Sequence, residues 1–138
     1  MEILVEQIQD QALVTVMKLV GELDASCYRD LIERVQQAYQ AGTRRLLLDM
    51  SALTFMSSAG LVALHSAALL MRGEALSDQE GWGAFHAVSS FVETSAGFEA
   101  NLKLLNPSDR VKKTLQKTGF ERIFSVFDDR KAALTSFQ

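Results

Sequence analysis

The sequence predicts a single α/β domain over residues 1–138, a mixed four- to five-stranded sheet with crossover helices. Three observations predict it. Two segments rich in Val, Ile, Leu and Thr, Ile3 to Ile8 and Leu13 to Val20, flank the polar Gln9-Asp10-Gln11, the pattern of an antiparallel hairpin. The unbroken Leu46-Leu47-Leu48 run is what a strand covered on both faces looks like. Beyond it, helical and strand-like segments alternate across short links, as crossover connections do. A chain of 138 residues is long enough for one proper core without disulfides or metals.

After the hairpin, Gly21-Glu22-Leu23-Asp24 ends the second strand, and Asp24 or Ser26 is placed to cap a helix. Its apolar face is Tyr28, Leu31, Ile32, Val35, Ala38 and Tyr39, in steps of three and four. Gly42 suits the helix exit, and Arg44 to Met50 forms the short central strand. A polar loop then delivers Ser57 and Ser58 to a second helix, whose Leu61, Val62, Leu64, Ala68, Leu69 and Met71 imply deep burial. Ala59, Gly60, Ala63 and Ala67 are small enough for close packing. Leu102 to Leu105 is the next strand. Asn106-Pro107-Ser108-Asp109 combines a cap residue, a proline at the first helical position and an acid at the positive end. That helix runs to Gly119 with Val111, Leu115 and Thr118 inward; Ile123 to Phe127 is a last strand, and Asp128 is placed to cap a terminal helix holding Ala132, Ala133 and Leu134.

Residues 72–100 break this rhythm and read as an insertion. Trp82, Phe85, Phe91 and Phe98 suggest a small satellite core there, or a partner patch if exposed, and Phe85, Val88, Ser89 and Val92 are spaced for a short helix. A net charge of −3, with only isolated basic pairs such as Arg44-Arg45 and Lys112-Lys113, argues against direct nucleic-acid binding. Cys27 stands alone, which excludes an internal disulfide and a cysteine metal site and fits a cytoplasmic address. The start, Met1-Glu2-Ile3-Leu4-Val5-Glu6, is acidic where a secretory signal is basic, and no apolar run suits membrane insertion. His65 and His86 lack partners at metal-ligand spacing, so no metal, cofactor or catalytic residue is expected. Phe55-Met56-Ser57-Ser58-Ala59-Gly60 lacks the first glycine of a hydrolase elbow, and Gly81-Trp82-Gly83 is only a fragment of a nucleotide loop.

The order of elements and three motifs together resemble the STAS domain family, and within it the stand-alone bacterial anti-sigma factor antagonists. The motifs are Gly21-Glu22-Leu23-Asp24, Asp49-Met50-Ser51 at the end of the central strand, and Phe55-Met56-Ser57-Ser58-Ala59-Gly60-Leu61 opening the second helix. Leu105-Asn106-Pro107, with the helix ending at Gly119-Phe120, is a further likeness. The resemblance implies a binding protein rather than an enzyme. Unphosphorylated, it would bind an anti-sigma factor that is also a serine kinase; phosphorylated by that kinase it would be released, and a metal-dependent serine phosphatase would restore it. Ser58 matches the phosphorylated serine, since Gly60 and Leu61 follow it by two and three residues. Where many antagonists read Asp-Ser-Ser-Gly this chain reads Ser57-Ser58-Ala59-Gly60, which removes an acid and makes Ser57 a secondary acceptor. The partner face implied is Glu22, Asp24, Ser57, Ser58, Ala59 and Leu61, with Asp49 in a structural role on the strand end.

Two other functions fit the same residues. One is an unphosphorylated STAS interaction module working in trans with a membrane transport or lipid-trafficking complex. The other is a small-molecule-binding domain in which the insertion folds over a pocket beside the serine loop.

Overall fold

Leu46, Leu47 and Leu48 have no exposed surface, because the strand that holds them lies third of five with apolar material on both faces. A computed structural model describes residues 1–9, 13–74 and 99–137. The order across the sheet is β1 (Glu2–Gln9), β2 (Leu13–Leu23), β3 (Leu46–Met56), β4 (Leu102–Leu105) and β5 (Val126–Phe127). β1 and β2 pair antiparallel from Glu2 with Val20 to Gln9 with Leu13, and every other pair is parallel. The described helices are α1 (Tyr28–Gln40), α2 (Ser58–Met71), α3 (Asp109–Thr118) and α4 (Arg130–Thr135). The mixed α/β sheet predicted from the sequence is therefore the observed fold.

Strand alternation sorts the side chains between two cores. Leu46, Leu48 and Met50 point to the larger one, with Leu31 and Val35 of α1, Leu61, Leu64 and Ala68 of α2, and Val111 and Leu115 of α3. Leu47 points the other way, to Val14, Val16, Leu105 and, from the α4 side, Ala133 and Phe137. Helix exits follow the glycines: Gly42, with φ +111°, turns the chain out of α1, and Gly119 ends α3 in the left-handed region at φ +81°.

Several local expectations shift. β3 does not stop at Met50 but continues to Met56, and two irregularities against β2 absorb its polar residues. Lys18 pairs Asp49 and Val20 pairs Ala52, so Met50 and Ser51 face one residue of β2; Thr54 is the extra residue of the second bulge. The cap of α3 is Ser108, whose Oγ accepts from the Val111 amide at 3.3 Å, while Asn106 takes a left-handed turn at φ +50° and Pro107 stays outside the helix. α4 is capped by Asp129 rather than Asp128. β5 keeps only Val126 and Phe127 of the expected strand, because Phe120–Arg122 forms a 3₁₀ turn that sends Ile123 and Phe124 into the core.

Residues 10–12, expected to form the hairpin turn, and residues 75–98, most of the segment expected to be an insertion, lie outside the described residues, including the expected short helix, His86 and the aromatics Trp82, Phe85, Phe91 and Phe98. The described residues on either side of that segment are joined directly. Arg72 pairs with Glu99, which is 7% exposed and whose amide donates to the Ile123 carbonyl at 2.7 Å. That carboxylate holds the Arg72 guanidinium more firmly protonated than usual. No helix among the described residues is long and apolar enough to cross a membrane.

Leu48→Ala should cost about 2–5 kcal/mol, because the strand is enclosed on both sides and the void cannot collapse. A urea titration followed by circular dichroism would show this as a lower midpoint with an unchanged slope.

Candidate functional site

The site begins where β2 and β3 run on together past the rest of the sheet. Gly21, at φ +109°, opposes Leu53, Glu22 opposes Phe55, and Leu23 opposes Met56. The Thr54 hydroxyl donates to the Gly21 carbonyl at 3.1 Å and closes the second bulge. At the first bulge the Asp49 Oδ1 accepts from the Ser51 amide at 3.0 Å. Asp49 thus serves the backbone of its own strand, which is the structural role the sequence suggests for it.

Past Met56 the chain turns into α2, and the turn is tied back to β2. The Ser57 amide donates to the Leu23 carbonyl at 2.9 Å. Ser57 is the N-cap, in extended conformation, with its Oγ accepting from the Ala59 amide at 3.2 Å. Ser58 is the first helical residue and is exposed; among the described residues no hydrogen bond engages its hydroxyl. The two serines are therefore divided, Ser57 holding the helix start and Ser58 facing outward.

On the β2 side of this turn, Glu22 is exposed while its carbonyl accepts from the Cys27 thiol at 3.2 Å. Neither Asp24 nor Ser26 caps α1: the N-cap position is Cys27, with no side-chain cap. Instead Asp24 Oδ1 accepts from the Ser26 hydroxyl at 2.5 Å and the Ser26 amide at 2.9 Å, a turn that bends the chain before the helix. The Ser26 hydroxyl, then its amide, hold the Asp24 carboxyl below its ordinary value of 3.8.

Of the expected partner face, Glu22, Asp24, Ser57, Ser58 and Ala59 come together at one edge of the domain, joined through the Leu23–Ser57 hydrogen bond. Leu61 does not belong to that surface. It is 8% exposed and packs into the larger core, because three residues past Ser58 the helix has turned inward. Gly60 is buried too, and a Cβ there would strike the Met56 side chain and come within 3.2 Å of Leu23. The helix start is thus pressed against the two strand ends that flank it.

A contact not foreseen from the sequence completes the edge. Arg110, in the first turn of α3, sets its guanidinium 5.6 Å from the centre of the Phe55 ring. No local motif announces this pair; the sheet order does, because β4 lies beside β3 and brings the turn after it next to the end of β3. Elsewhere, His65 is buried in α2; burial first, then the Arg72 charge, hold its imidazole below its usual 6.5, against an opposing pull from Glu74. Among the described residues no three His, Cys, Asp or Glu side chains converge as metal ligands. A groove of about 490 Å³ lies between α3, the 3₁₀ turn and β5, lined by Lys112, Leu115, Gln116, Glu121 and Val126, and none of its lining belongs to the serine loop.

Comparison with known proteins converges on this framework. The family model described as Mlab, STAS domain matches residues 6–80. No curated protein matches the chain. Among solved structures, similarity extends to a candidate anti-sigma factor antagonist from Thermotoga maritima, with 18% identity, TM-score 0.69, and 98% of this chain and 93% of that chain covered. An anti-sigma factor antagonist from Mycobacterium paratuberculosis is similar at 18% identity and TM-score 0.66, over 99% of this chain and 94% of that one. The Bacillus cell fate determinant SpoIIAA in its phosphorylated form is similar at 18% identity and TM-score 0.57, over 99% and 100% of the two chains. At these identities the likeness is one of fold.

Two outcomes follow from the division of the serines. Ser57→Ala should destabilise the protein by about 1 kcal/mol through loss of the cap, while Ser58→Ala stays within about 0.5 kcal/mol of wild type, both read from chemical denaturation midpoints. Because Asp24 in the folded chain binds its proton more weakly than in the unfolded one, its contribution is present above the ordinary carboxylate range and is lost as pH falls through the lowered value. Carboxyl-detected NMR should give Asp24 a midpoint below 3.8, and Ser26→Ala should move it back up.

Proposed function

The chain belongs to the STAS domain family, and from that premise we propose that it is an anti-sigma factor antagonist, a binding protein rather than an enzyme, gated by phosphorylation of Ser58. Unphosphorylated, it binds an anti-sigma factor that is also a serine kinase, through the edge bearing Glu22, Asp24, Ser57, Ser58 and Ala59, and so frees a sigma factor for transcription. One observation carries the reading: Ser58 is exposed at the first position of a rigidly seated helix, while the neighbouring Ser57 hydroxyl is already used as the cap. Ser57 as a secondary acceptor would first have to give up that bond.

In the transfer step the kinase brings Mg-ATP. A bond forms between Ser58 Oγ and the γ-phosphorus, the bond from that phosphorus to the bridging oxygen of ADP breaks, and the hydroxyl proton passes to a base of the kinase. The product gains about one and a half to two negative charges at pH 7. Set beside Glu22 and Asp24 in a closed interface, that charge opposes rebinding by several kcal/mol through repulsion and desolvation. A metal-dependent serine phosphatase then hydrolyses the phosphoester with water, returning the serine and inorganic phosphate. The phosphorylated form of the similar SpoIIAA supports placing such a modification on this fold.

A second reading draws on the description of the matching family model, Mlab, STAS domain, and on Ser57 standing where many antagonists carry an acid. In it the same edge is an unphosphorylated docking surface for a membrane transport or lipid-trafficking complex.

Incubation with the candidate kinase and Mg-ATP, followed by mass-spectrometric mapping, should place phosphate on Ser58. Ser58→Asp should weaken kinase binding by about tenfold or more, equivalent to about 1.4 kcal/mol, while Ser58→Ala should bind and resist release. No phosphate on either serine, together with unchanged binding by Ser58→Asp, would leave the docking-module reading in its place.

A further inference from the structure

We propose that Arg110 is the intramolecular receiver of a phosphate carried by Ser58, so that the turn after β4 forms a phosphate-binding contact for the modified end of β3. The reading of Ser58 as the acceptor underlies this, and the Arg110 contact deepens it.

The placement follows from unequal strand lengths. The β3–β4 ladder ends at Asp49 opposite Leu105, yet β3 continues to Met56. Over those last residues β3 is paired with β2 on one side only, and on the other the chain that leaves β4 turns at Asn106 and starts α3. Arg110 sits in that first turn and lays its guanidinium over Phe55, 5.6 Å from the ring centre. Phe55 precedes Ser58 by three residues, a chain span of at most about 11 Å, and the Arg110 side chain that meets its ring is exposed.

The chemistry suits a phosphate. A guanidinium held near an aromatic ring by a cation–π contact still has N–H donors to offer, and its planar fork matches two oxygens of a phosphate monoester. Among the described residues no carboxylate pairs with Arg110, although it is exposed and Asp109 is its neighbour in sequence. Ser58 in turn is exposed, and its hydroxyl makes no hydrogen bond among the described residues. The contact with Phe55 restrains the cation at the end of β3 before any phosphate is present, which lowers the entropy lost when an ion pair forms there. Phosphorylation would then do two things at once: add negative charge at Ser58 and withdraw the cation of Arg110 from the partner-facing edge.

The test installs phosphoserine at position 58 during translation, so that it does not depend on any kinase. Full-length protein with Arg110 intact, as Arg110→Gln and as Arg110→Lys is followed by ³¹P NMR across the second ionisation of the phosphate, ordinarily near pH 6. A nearby guanidinium favours the dianion, so the midpoint in the parent should lie about 0.5 unit below that of R110Q, with R110K between them. Glu22 and Asp24 push the same titration upward in all three chains, so the difference isolates the residue at 110. Addition of 0.5 M NaCl should shrink the difference by screening. Midpoints that agree to within about 0.1 unit in all three proteins would overturn the proposal while leaving Ser58 as acceptor intact. Failure of the acceptor reading is seen separately, as absence of phosphate at Ser58 after incubation with kinase.

Discussion

The candidate edge depends on the parallel pairing of β2 with β3 beyond the point where the rest of the sheet ends. Without it, Glu22 to Asp24 and Ser57 to Ser58 would be ends of separate loops, free to drift apart. Two bulges make the pairing possible, one closed by Asp49 on the Ser51 amide and one by Thr54 on the Gly21 carbonyl. Each supplies a hydrogen bond where the ladder skips a residue, which is what keeps polar groups of an irregular strand satisfied. The hydrogen bond from the Ser57 amide to the Leu23 carbonyl is the last rung. It carries the registration of two strands into the first turn of a helix.

That first turn is held as firmly as the sheet. α2 buries Gly60, Leu61, Ala63, Leu64, Ala67 and Ala68, and its small residues let it seat closely against the strand ends. A helix enclosed this far round has little room to rotate or slide, since a shift would open voids or force overlaps in a densely packed core. A charge added at Ser58 would therefore be read where it stands. The response belongs to the electrostatics of the surface and the partner that meets it, not to a rearrangement of the domain, because a ligand or modification shifts conformation only when two arrangements differ in how they accommodate it.

Much of this fold is written in short apolar signals. Leu46-Leu47-Leu48 announces a doubly covered strand, Leu102 to Leu105 matches β4 residue for residue, and Gly42 and Gly119 mark helix exits by the one property that sets glycine apart. The parts that escape local reading are those in which a tertiary contact overrides a local preference. Ser51 and Thr54 look like loop residues until β2 is laid alongside, and then each is absorbed by a bulge. Ile123 and Phe124 look like strand until the 3₁₀ turn sends them to the core. Caps slip for a related reason: Asp24, Asn106 and Asp128 are all good cap residues, but Asp24 accepts from Ser26 while Cys27 takes the α1 cap position, and α3 and α4 are capped by Ser108 and Asp129, two residues and one residue further on, since a small shift decides which side chain meets the free amide. The placement of two serines at a helix start is legible in the sequence; the division of roles between them, the burial of Leu61 and the contact of Arg110 with Phe55 require the packed chain.

Ser57 sharpens the comparison with the usual acid at its position. An aspartate before the acceptor would be both a good helix cap and a fixed negative charge. Serine keeps the first property, as its bond to the Ala59 amide demonstrates, and discards the second. The unmodified edge is then less anionic by one charge, with Glu22 and Asp24 on one side and Arg110 on the other. Against that lower background a phosphate makes a larger fractional change in the local field. Arg110, set against Phe55 three residues before Ser58, supplies a cation to the same strand end. Replacing the acid thus need not weaken a switch at Ser58; it moves the contrast between the two states onto the phosphate itself.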